Sequence, residues 1–213
     1  MNKRVTHNSR TNYRKIAEEF AGGQVYVAFD TETSGLSCRT ESIIEIAAVK
    51  FDCNGIIEKF SSFINPGKPL SYFITNLTGI TDEMLCDADD EACVIKKFLS
   101  FTGKDTVLIA HNAPFDIHFV NAALERMKLP PLKNRYVDTL PFTRNQFPEI
   151  RTQEEGAYRL ENLAKRFKLK CGNNHRALAD SVMCMKLFEL LVKNQEEKSN
   201  TSQKLLKSIL SEL

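Results

Sequence analysis

The chain has 213 residues, 42% of them hydrophobic and 26% charged, with a formal net charge of +2. These values are ordinary for a soluble globular protein, and the near-neutral charge neither requires nor excludes a nucleic-acid partner. The basic first ten residues are not followed by an apolar stretch, and no apolar run reaches membrane-spanning length. We therefore expect neither a signal peptide nor a membrane contact. The six cysteines contain no Cys-x-x-Cys pair, which excludes a zinc signature and predicts reduced thiols in a cytoplasmic protein.

The N-terminal residues 1–23 are polar, and we interpret them as an appendage to the main domain. Within them, the spacing of Tyr13, Ile16 and Phe20 predicts a short helix that ends before Gly22. The main domain is predicted at 24–193. Residues 194–203 are charged and polar, which suggests a linker or the end of a helix, and we assign a linker followed by a short amphipathic tail helix to 194–213 because the end of the chain is leucine-rich.

Three strands are predicted next, at about 24–30, 42–51 and 56–64. The first is an uninterrupted apolar run, which suits a strand buried on both faces. Asn54-Gly55 is a strong hairpin signal between the second and third strands, so the three strands are expected to form an antiparallel meander.

Helices and short strands alternate in the second half of the chain. Helices are predicted at 89–101, 114–128, 160–168 and 176–193, and strands at 106–110 and 136–138. Residues 142–158 are predicted to be irregular. Three strands followed by alternating strands and helices indicate an α/β domain with a mixed sheet.

Two carboxylates follow the first apolar strand, at Asp30 and Glu32. Residues i and i+2 of a strand point to the same side, so these two negative charges lie side by side. Each disfavours ionisation of the other unless a cation lies between them. The pair alone allows either a metal site or a solvated strand end.

Two further aspartates interrupt apolar helix faces. Asp116 shares a stripe with Val120 and Ala123, and Asp180 shares one with Cys184 and Leu187. A carboxylate on an apolar face is expected to be paired or bound to a cation, although a first-turn aspartate that caps its helix is the alternative for Asp116. His175 lies five residues before Asp180, on the predicted loop before the last helix.

The motifs resemble those of the DEDDh family of 3′→5′ exonucleases. They are Phe-Asp30-Thr-Glu32-Thr-Ser-Gly-Leu36, Ala-His111-Asn112-Ala-Pro-Phe-Asp116 and His175-Arg-Ala-Leu-Ala-Asp180. Their order and spacing fit, and the resemblance extends from about 25 to 191. It is strongest to proofreading exonucleases of bacterial replication. The resemblance implies a ribonuclease H-like fold, in which helices flank a central mixed five-stranded sheet.

The resemblance also implies a site and a reaction. Asp30, Glu32, Asp116 and Asp180 would hold two divalent ions, Mg²⁺ or Mn²⁺, and His175 would be the general base. The remaining positions would bind the substrate, namely Thr33, Gly35, Leu36, Thr78, His111, Asn112 and Phe115. Leu36 would wedge between the last bases. Thr78 is a departure, because similar proofreading subunits often carry a histidine there.

The expected substrate is nucleic acid, most simply the 3′ end of single-stranded DNA, and the products would be nucleoside 5′-monophosphates. The motifs do not separate a DNA exonuclease for proofreading or repair from an RNA exonuclease. A third reading is an interaction subunit that docks on a replicative polymerase through its leucine-rich tail. Because 213 residues show no polymerase domain, proofreading is expected to occur in trans.

Overall fold

A computed structural model of the chain describes residues 12–152, 155–169 and 176–211. Side chains are described as far as residue 202. The predicted apolar face of the tail helix, and His175, lie outside the described residues. Among the described helices, none combines the length and the apolar character that a membrane span requires.

A five-stranded mixed sheet forms the centre of the fold, in the order β3-β2-β1-β4-β5. The strands are β1 (Tyr26–Thr33), β2 (Ile43–Asp52), β3 (Gly55–Phe63), β4 (Val107–Ala110) and β5 (Tyr136–Asp138). β1, β2 and β3 pair antiparallel, whereas β4 pairs parallel with both β1 and β5. The predicted meander and the predicted mixed sheet are both confirmed.

Helices cover both faces of this sheet. They are α1 (Tyr13–Ala21), α2 (Tyr72–Thr78), α3 (Asp82–Leu85), α4 (Glu91–Thr102), α5 (Pro114–Arg126), α6 (Thr139–Gln146), α7 (Leu160–Arg166) and α8 (Ala177–Ser211), with a 3-10 turn at Pro148–Thr152. Side chains from α1, α6, α7 and α8 share one apolar core with the sheet. Those of α4 and α5 form a second core on the opposite face.

Alternation along β1 decides which layer each side chain enters. Tyr26 and Ala28 pack in the core that contains α8, whereas Val27 and Phe29 pack in the core that contains α4 and α5. The same alternation continues past Phe29, so Asp30 falls on the α8 side. β1 thereby directs its paired carboxylates toward the last helix.

The N-terminal helix belongs to the main core, which corrects its interpretation as an appendage. Ile16 is 7% exposed, and the Tyr13 ring stacks on Phe142 with 4.0 Å between ring centroids. Phe20 meets Phe188 of α8 edge to face at 5.5 Å. The helix itself was predicted from its apolar spacing, but its docking partner was not readable from so short a polar segment.

Two other predictions are wrong. Residues 194–203 are not a linker, because α8 continues without a break to Ser211. This stretch contains neither glycine nor proline, and Asn194 donates to Gln146 at 2.6 Å, which ties the helix to α6. The segment 142–158 is also not irregular throughout, because α6 (Thr139–Gln146) includes its first residues. The Asp138 side chain caps this helix, since it accepts from the Leu140 amide at 2.9 Å.

Replacing Ile16 by Ala is expected to lower the free energy of unfolding by about 2–4 kcal/mol, because it removes a buried side chain from a packed core. Urea denaturation measures this. The neighbouring Lys15→Ala variant on the exposed face of the same helix is the control, with an expected change below about 0.5 kcal/mol. Equal, small effects of the two variants would show that the helix does not contribute to the core.

Candidate active site

Three carboxylates converge at the junction of β1 and α8. Asp30, Glu32 and Asp180 each offer an oxygen, and these oxygens all lie within 4.8 Å of one another. The strand supplies two of them two residues apart, and the first turn of the helix supplies the third. The arrangement predicted from the separate motifs is therefore present for these three residues, which could hold a metal ion.

Asp116 reaches the same pocket from the other layer of the fold. It is 4% exposed and opens the first turn of α5. One of its carboxylate oxygens accepts from the Thr31 amide at 3.0 Å and from the Thr31 hydroxyl at 2.7 Å. Thr31 lies between the two β1 carboxylates and points to the opposite face, so it fixes Asp116 beside them. No sequence pattern indicated this contact.

The pocket concentrates negative charge in a poorly solvated place. Burial, followed by the charges of Asp116, Glu32 and Asp180, raises the pKa of Asp30 well above its usual value. Burial is also the main cause that raises the pKa of Glu32 to about 7. The pKa of Asp116 rises to about 7 by burial, although the bonds from Thr31 oppose that rise. A bound cation would remove this electrostatic cost.

The loop before α5 is fixed by the end of β5. Asn112 adopts a left-handed backbone conformation with φ 66°, which asparagine tolerates better than most residues. The backbone amide of Asn112 donates to the Asp138 carboxylate at 3.0 Å. Asn112 is exposed and lines the pocket. Its contact with the substrate stays a prediction.

His111 also lines the pocket, but both of its ring nitrogens are bonded inside the protein. Nδ1 lies 2.8 Å from the Thr139 hydroxyl, and Nε2 donates to the Tyr158 carbonyl at 2.7 Å. Burial lowers the pKa of the ring, which favours the neutral form. These bonds join β4 to α6 and to the segment before α7, and the contact of His111 with the substrate stays a prediction.

The turn after β1 presents an exposed leucine. The Thr33 hydroxyl donates to the Gly35 carbonyl at 2.7 Å, and the Ser34 hydroxyl donates to Glu41 at 2.6 Å. A Cβ at Gly35 would lie 2.8 Å from Cγ of Glu41, so this close approach requires glycine. Leu36 follows with 86% of its surface exposed. Such exposure of a leucine is what the predicted wedge between bases requires.

Thr78 does not line the pocket, in contrast to the predicted substrate contact. It is 4% exposed and ends α2, where its hydroxyl donates to the Ile74 carbonyl at 2.9 Å and accepts from the Ile80 amide at 3.1 Å. Gly79 follows in the left-handed conformation that closes a helix. The structure assigns Thr78 to the end of this helix.

Seven of the predicted site residues line one open pocket of about 270 Å³, together with three that the motifs did not indicate. The seven are Asp30, Glu32, His111, Asn112, Phe115, Asp116 and Asp180. The three additional residues are Thr31, Leu160 and Glu161. Leu160 and Glu161 begin α7, and only the docking of that helix brings them here. Thr31 is hidden from motif analysis because it points away from the paired carboxylates.

Comparison with known proteins identifies close sequence relatives. Residues 27–188 match a family model described as "Exonuclease" (RNase_T). The chain is 43% identical over 173 residues to the DNA polymerase III PolC-type of Streptococcus pyogenes serotype M2, and equally to that of Streptococcus mutans serotype c. The matched region covers 81% of this chain but 11% of each relative.

Solved structures share the fold. Exonuclease X in complex with 5′ overhanging duplex DNA superposes with a TM-score of 0.62 at 26% identity, covering 82% of this chain and 93% of that one. Escherichia coli exonuclease I in complex with a dT13 oligonucleotide gives 0.73 at 21% identity, covering 84% and 43%. The predicted ribonuclease H-like fold is confirmed. By its matched family model and by these relatives, the chain belongs to the exonuclease family of the DEDDh type.

Proposed function

We propose that this protein is a metal-dependent 3′→5′ exonuclease that releases nucleoside 5′-monophosphates from DNA ends. The observation that carries the proposal is the convergence of Asp30, Glu32 and Asp180 within 4.8 Å in an open pocket. Three oxygen ligands of this kind suit hard divalent cations. Burial and the neighbouring carboxylates raise the pKa values of Asp30 and Glu32, and a bound cation would favour the ionised forms of both.

Asp30, Glu32, Asp116 and Asp180 hold two divalent ions, Mg²⁺ or Mn²⁺. Such ions, when bound, supply Lewis acidity toward the phosphate and offset the repulsion between the phosphate and the carboxylates of the pocket. Asp116 is held by Thr31, so one oxygen is fixed and the carboxylate cannot turn freely. His175 would take a proton from the attacking water, whose oxygen bonds to phosphorus as the bond from phosphorus to the 3′ oxygen breaks, and the released 3′ oxygen then takes up a proton from solvent. Its ordinary pKa, about 6.5, suits that task near neutral pH.

DNA is the proposed substrate because the relatives named above act in DNA synthesis or were solved with DNA. The exposed Leu36 separates the terminal base from its neighbour, and Phe115 packs beside the bases. Thr33 and Gly35 contribute their backbone to the terminal nucleotide. Asn112, which is exposed at the pocket, contacts the same nucleotide.

The sequence relatives support a proposed role beside a replicative polymerase. The chain spans about 11% of the length of the DNA polymerase III PolC-type proteins that it matches. We propose that it removes misincorporated nucleotides, or trims damaged ends, during DNA synthesis by a polymerase. The same chemistry would also suit DNA repair outside replication. The kind of DNA 3′ end that the protein degrades fastest distinguishes proofreading from repair.

The direct test is degradation of 5′-labelled single-stranded DNA and RNA of one sequence. With Mg²⁺ or Mn²⁺ we expect a ladder that shortens from the 3′ end of DNA, and no ladder with a chelator. His175→Ala is expected to slow the reaction by about 10²–10⁴-fold, the usual contribution of a general base.

The RNA lane decides the substrate. Faster shortening of RNA than of DNA would replace the DNA proposal with an exoribonuclease. If neither strand is shortened with either metal, the catalytic proposal is wrong and an interaction subunit becomes the better interpretation. A duplex with a mismatched 3′ end is included, since a proofreading enzyme should remove the unpaired nucleotide faster than a paired one.

A further inference from the structure

An ion pair between the buried Glu45 and the partly exposed Arg176 lies immediately behind the carboxylate cluster and is not part of the predicted site. Glu45 of β2 is 1% exposed, and its two oxygens accept from Nε and Nη2 of Arg176 at 3.2 Å each. One of these oxygens also accepts from the Ala177 amide, at 3.3 Å. Glu45 therefore holds both the residue before α8 and the first amide of that helix, whose dipole favours an anion there.

A second bond ties the next turn of α8 to the same strand. The buried Ser181 hydroxyl lies 3.0 Å from the Ala47 carbonyl and 2.7 Å from the Ala177 carbonyl. Asp180 is the residue immediately before Ser181. The first turn of α8 is thus fastened to β2 at both of its ends, with a metal-site carboxylate between the two fastening points.

The register of the sheet places these fastening points directly beside the other two carboxylates. Glu45 pairs with Glu32, and Ala47 pairs with Asp30. Directly opposed residues in an antiparallel pair point to the same face of a sheet. The two β2 positions that hold α8 are therefore the cross-strand neighbours of the two β1 carboxylates, so one short piece of sheet sets the spacing of all three.

Stability alone is a poor reason for a charged residue at this place. The Arg176 side chain is 45% exposed, and an ion pair that is open to solvent on one side usually adds little to the free energy of unfolding. Glu45 is also the cross-strand neighbour of Glu32, so the pair lies beside the site as well as at the start of the helix. Arg176 lies, in addition, over the Phe63 ring at 5.0 Å, which holds the guanidinium in one orientation.

We infer that Glu45, through Arg176 and the start of α8, is a positioning residue that sets Asp180 at metal-binding distance from Asp30 and Glu32. This inference rests on the proposed metal-dependent function and extends it to a residue outside the three motifs. Outer contacts of this kind commonly change metal affinity or activity by about 10–100-fold when they are removed.

The test compares Mn²⁺ binding, measured by electron paramagnetic resonance, in wild type, Glu45→Gln and Arg176→Lys. Both variants are expected to bind Mn²⁺ about 10–100-fold more weakly, and kcat at a fixed Mn²⁺ concentration to fall accordingly. Arg176→Lys keeps the charge but not the two-point geometry, so it separates positioning from simple neutralisation. It also serves as the test if Glu45→Gln does not fold.

Glu19→Gln is the matched control. Glu19 of α1 pairs with Arg135 through two contacts, at 3.1 and 3.4 Å, and neither residue lines the pocket. This control is expected to bind Mn²⁺ within twofold of wild type. Binding is measured well below each melting temperature, so that a general loss of stability does not alter it.

Mn²⁺ affinities of Glu45→Gln and Arg176→Lys within twofold of wild type would overturn the inference, even if the protein degrades DNA. Conversely, wild-type protein that binds Mn²⁺ but does not shorten DNA would refute the proposed function and leave the comparison of affinities decisive. Wild-type protein that binds no Mn²⁺ would overturn both.

Discussion

Replacing Asp30 by Asn is expected to lower the rate of DNA shortening by about 10³-fold, in line with the loss of a preorganised charge at a reacting centre. The same variant should be more stable than wild type when metal is absent. The pocket opposes the ionisation of Asp30, first through burial and then through the neighbouring charges of Asp116, Glu32 and Asp180. An amide of the same shape removes one of these charges and keeps the packing.

The opposite signs of the two effects make this prediction specific. A residue that only supports the fold would lose activity and stability together, whereas a site residue can lose activity while stability rises. Asp180→Asn is expected to behave in the same way, because its oxygen belongs to the same cluster. The exposed Asp87→Asn variant is the control for removal of one negative charge, and both its rate and its stability should match wild type. Asp30→Asn that retains more than a tenth of the wild-type rate would contradict the assignment.

The second large effect is a fall in metal-free stability as the pH rises from about 5.5 to 8. The folded pKa values of Glu32 and Asp116 are about 7, compared with ordinary values of 4.5 and 3.8. In this window the folded state therefore holds protons that the unfolded state has released. Stability is greatest below the ordinary values and is lost as the pH passes through about 7.

The expected size is on the order of 3 kcal/mol, or about 10 °C in melting temperature for a chain of this length. Mn²⁺ or Mg²⁺ should reverse the loss at pH 8 and have a smaller effect at pH 5.5, because protons compete with the cation for the same oxygens. Differential scanning calorimetry in chelator and in metal measures both changes. His111 acts in the opposite sense near pH 6, since burial lowers its pKa.

Comparison with Glu32→Gln isolates the contribution of the carboxylates. This variant retains His111 but removes one of the groups with a raised pKa, so its metal-free melting temperature should fall less with pH than that of wild type. The stabilisation by metal at pH 8 should also shrink. A metal-free melting temperature that rises steadily from pH 5.5 to 8 in wild type would show that the acidic pocket does not carry the expected charge.

Both predictions depend on the same feature, an acidic cluster to which the sheet and the helices on both of its faces contribute. β1 contributes Asp30 and Glu32, which alternation places on one face of the sheet. On that face α8 contributes Asp180, and α5 contributes Asp116 from the opposite face. Such a cluster is unfavourable in the metal-free protein and is retained by the surrounding structure. Thr31 and the proposed role of Glu45 explain how the surrounding structure holds it.

The sequence by itself determined the features that depend on local periodicity. The alternation of β1 placed Asp30 and Glu32 on one face, and the apolar stripes of the helices marked Asp116 and Asp180 as carboxylates out of place. Asn54-Gly55 fixed the hairpin, which is observed between β2 and β3. The turn that exposes Leu36 is local as well, because it is built from neighbouring residues.

Only the tertiary structure decided which of these elements meet. The Thr31–Asp116 bond spans 85 residues, and the Glu45–Arg176 pair spans 131. Local patterns contain no information about such partners, since sheet register and helix docking set them. For the same reason the sequence did not predict the bonds of His111, the buried position of Thr78 or the docking of α1 and α7. Periodicity fixes the face of a residue, and packing fixes its neighbour.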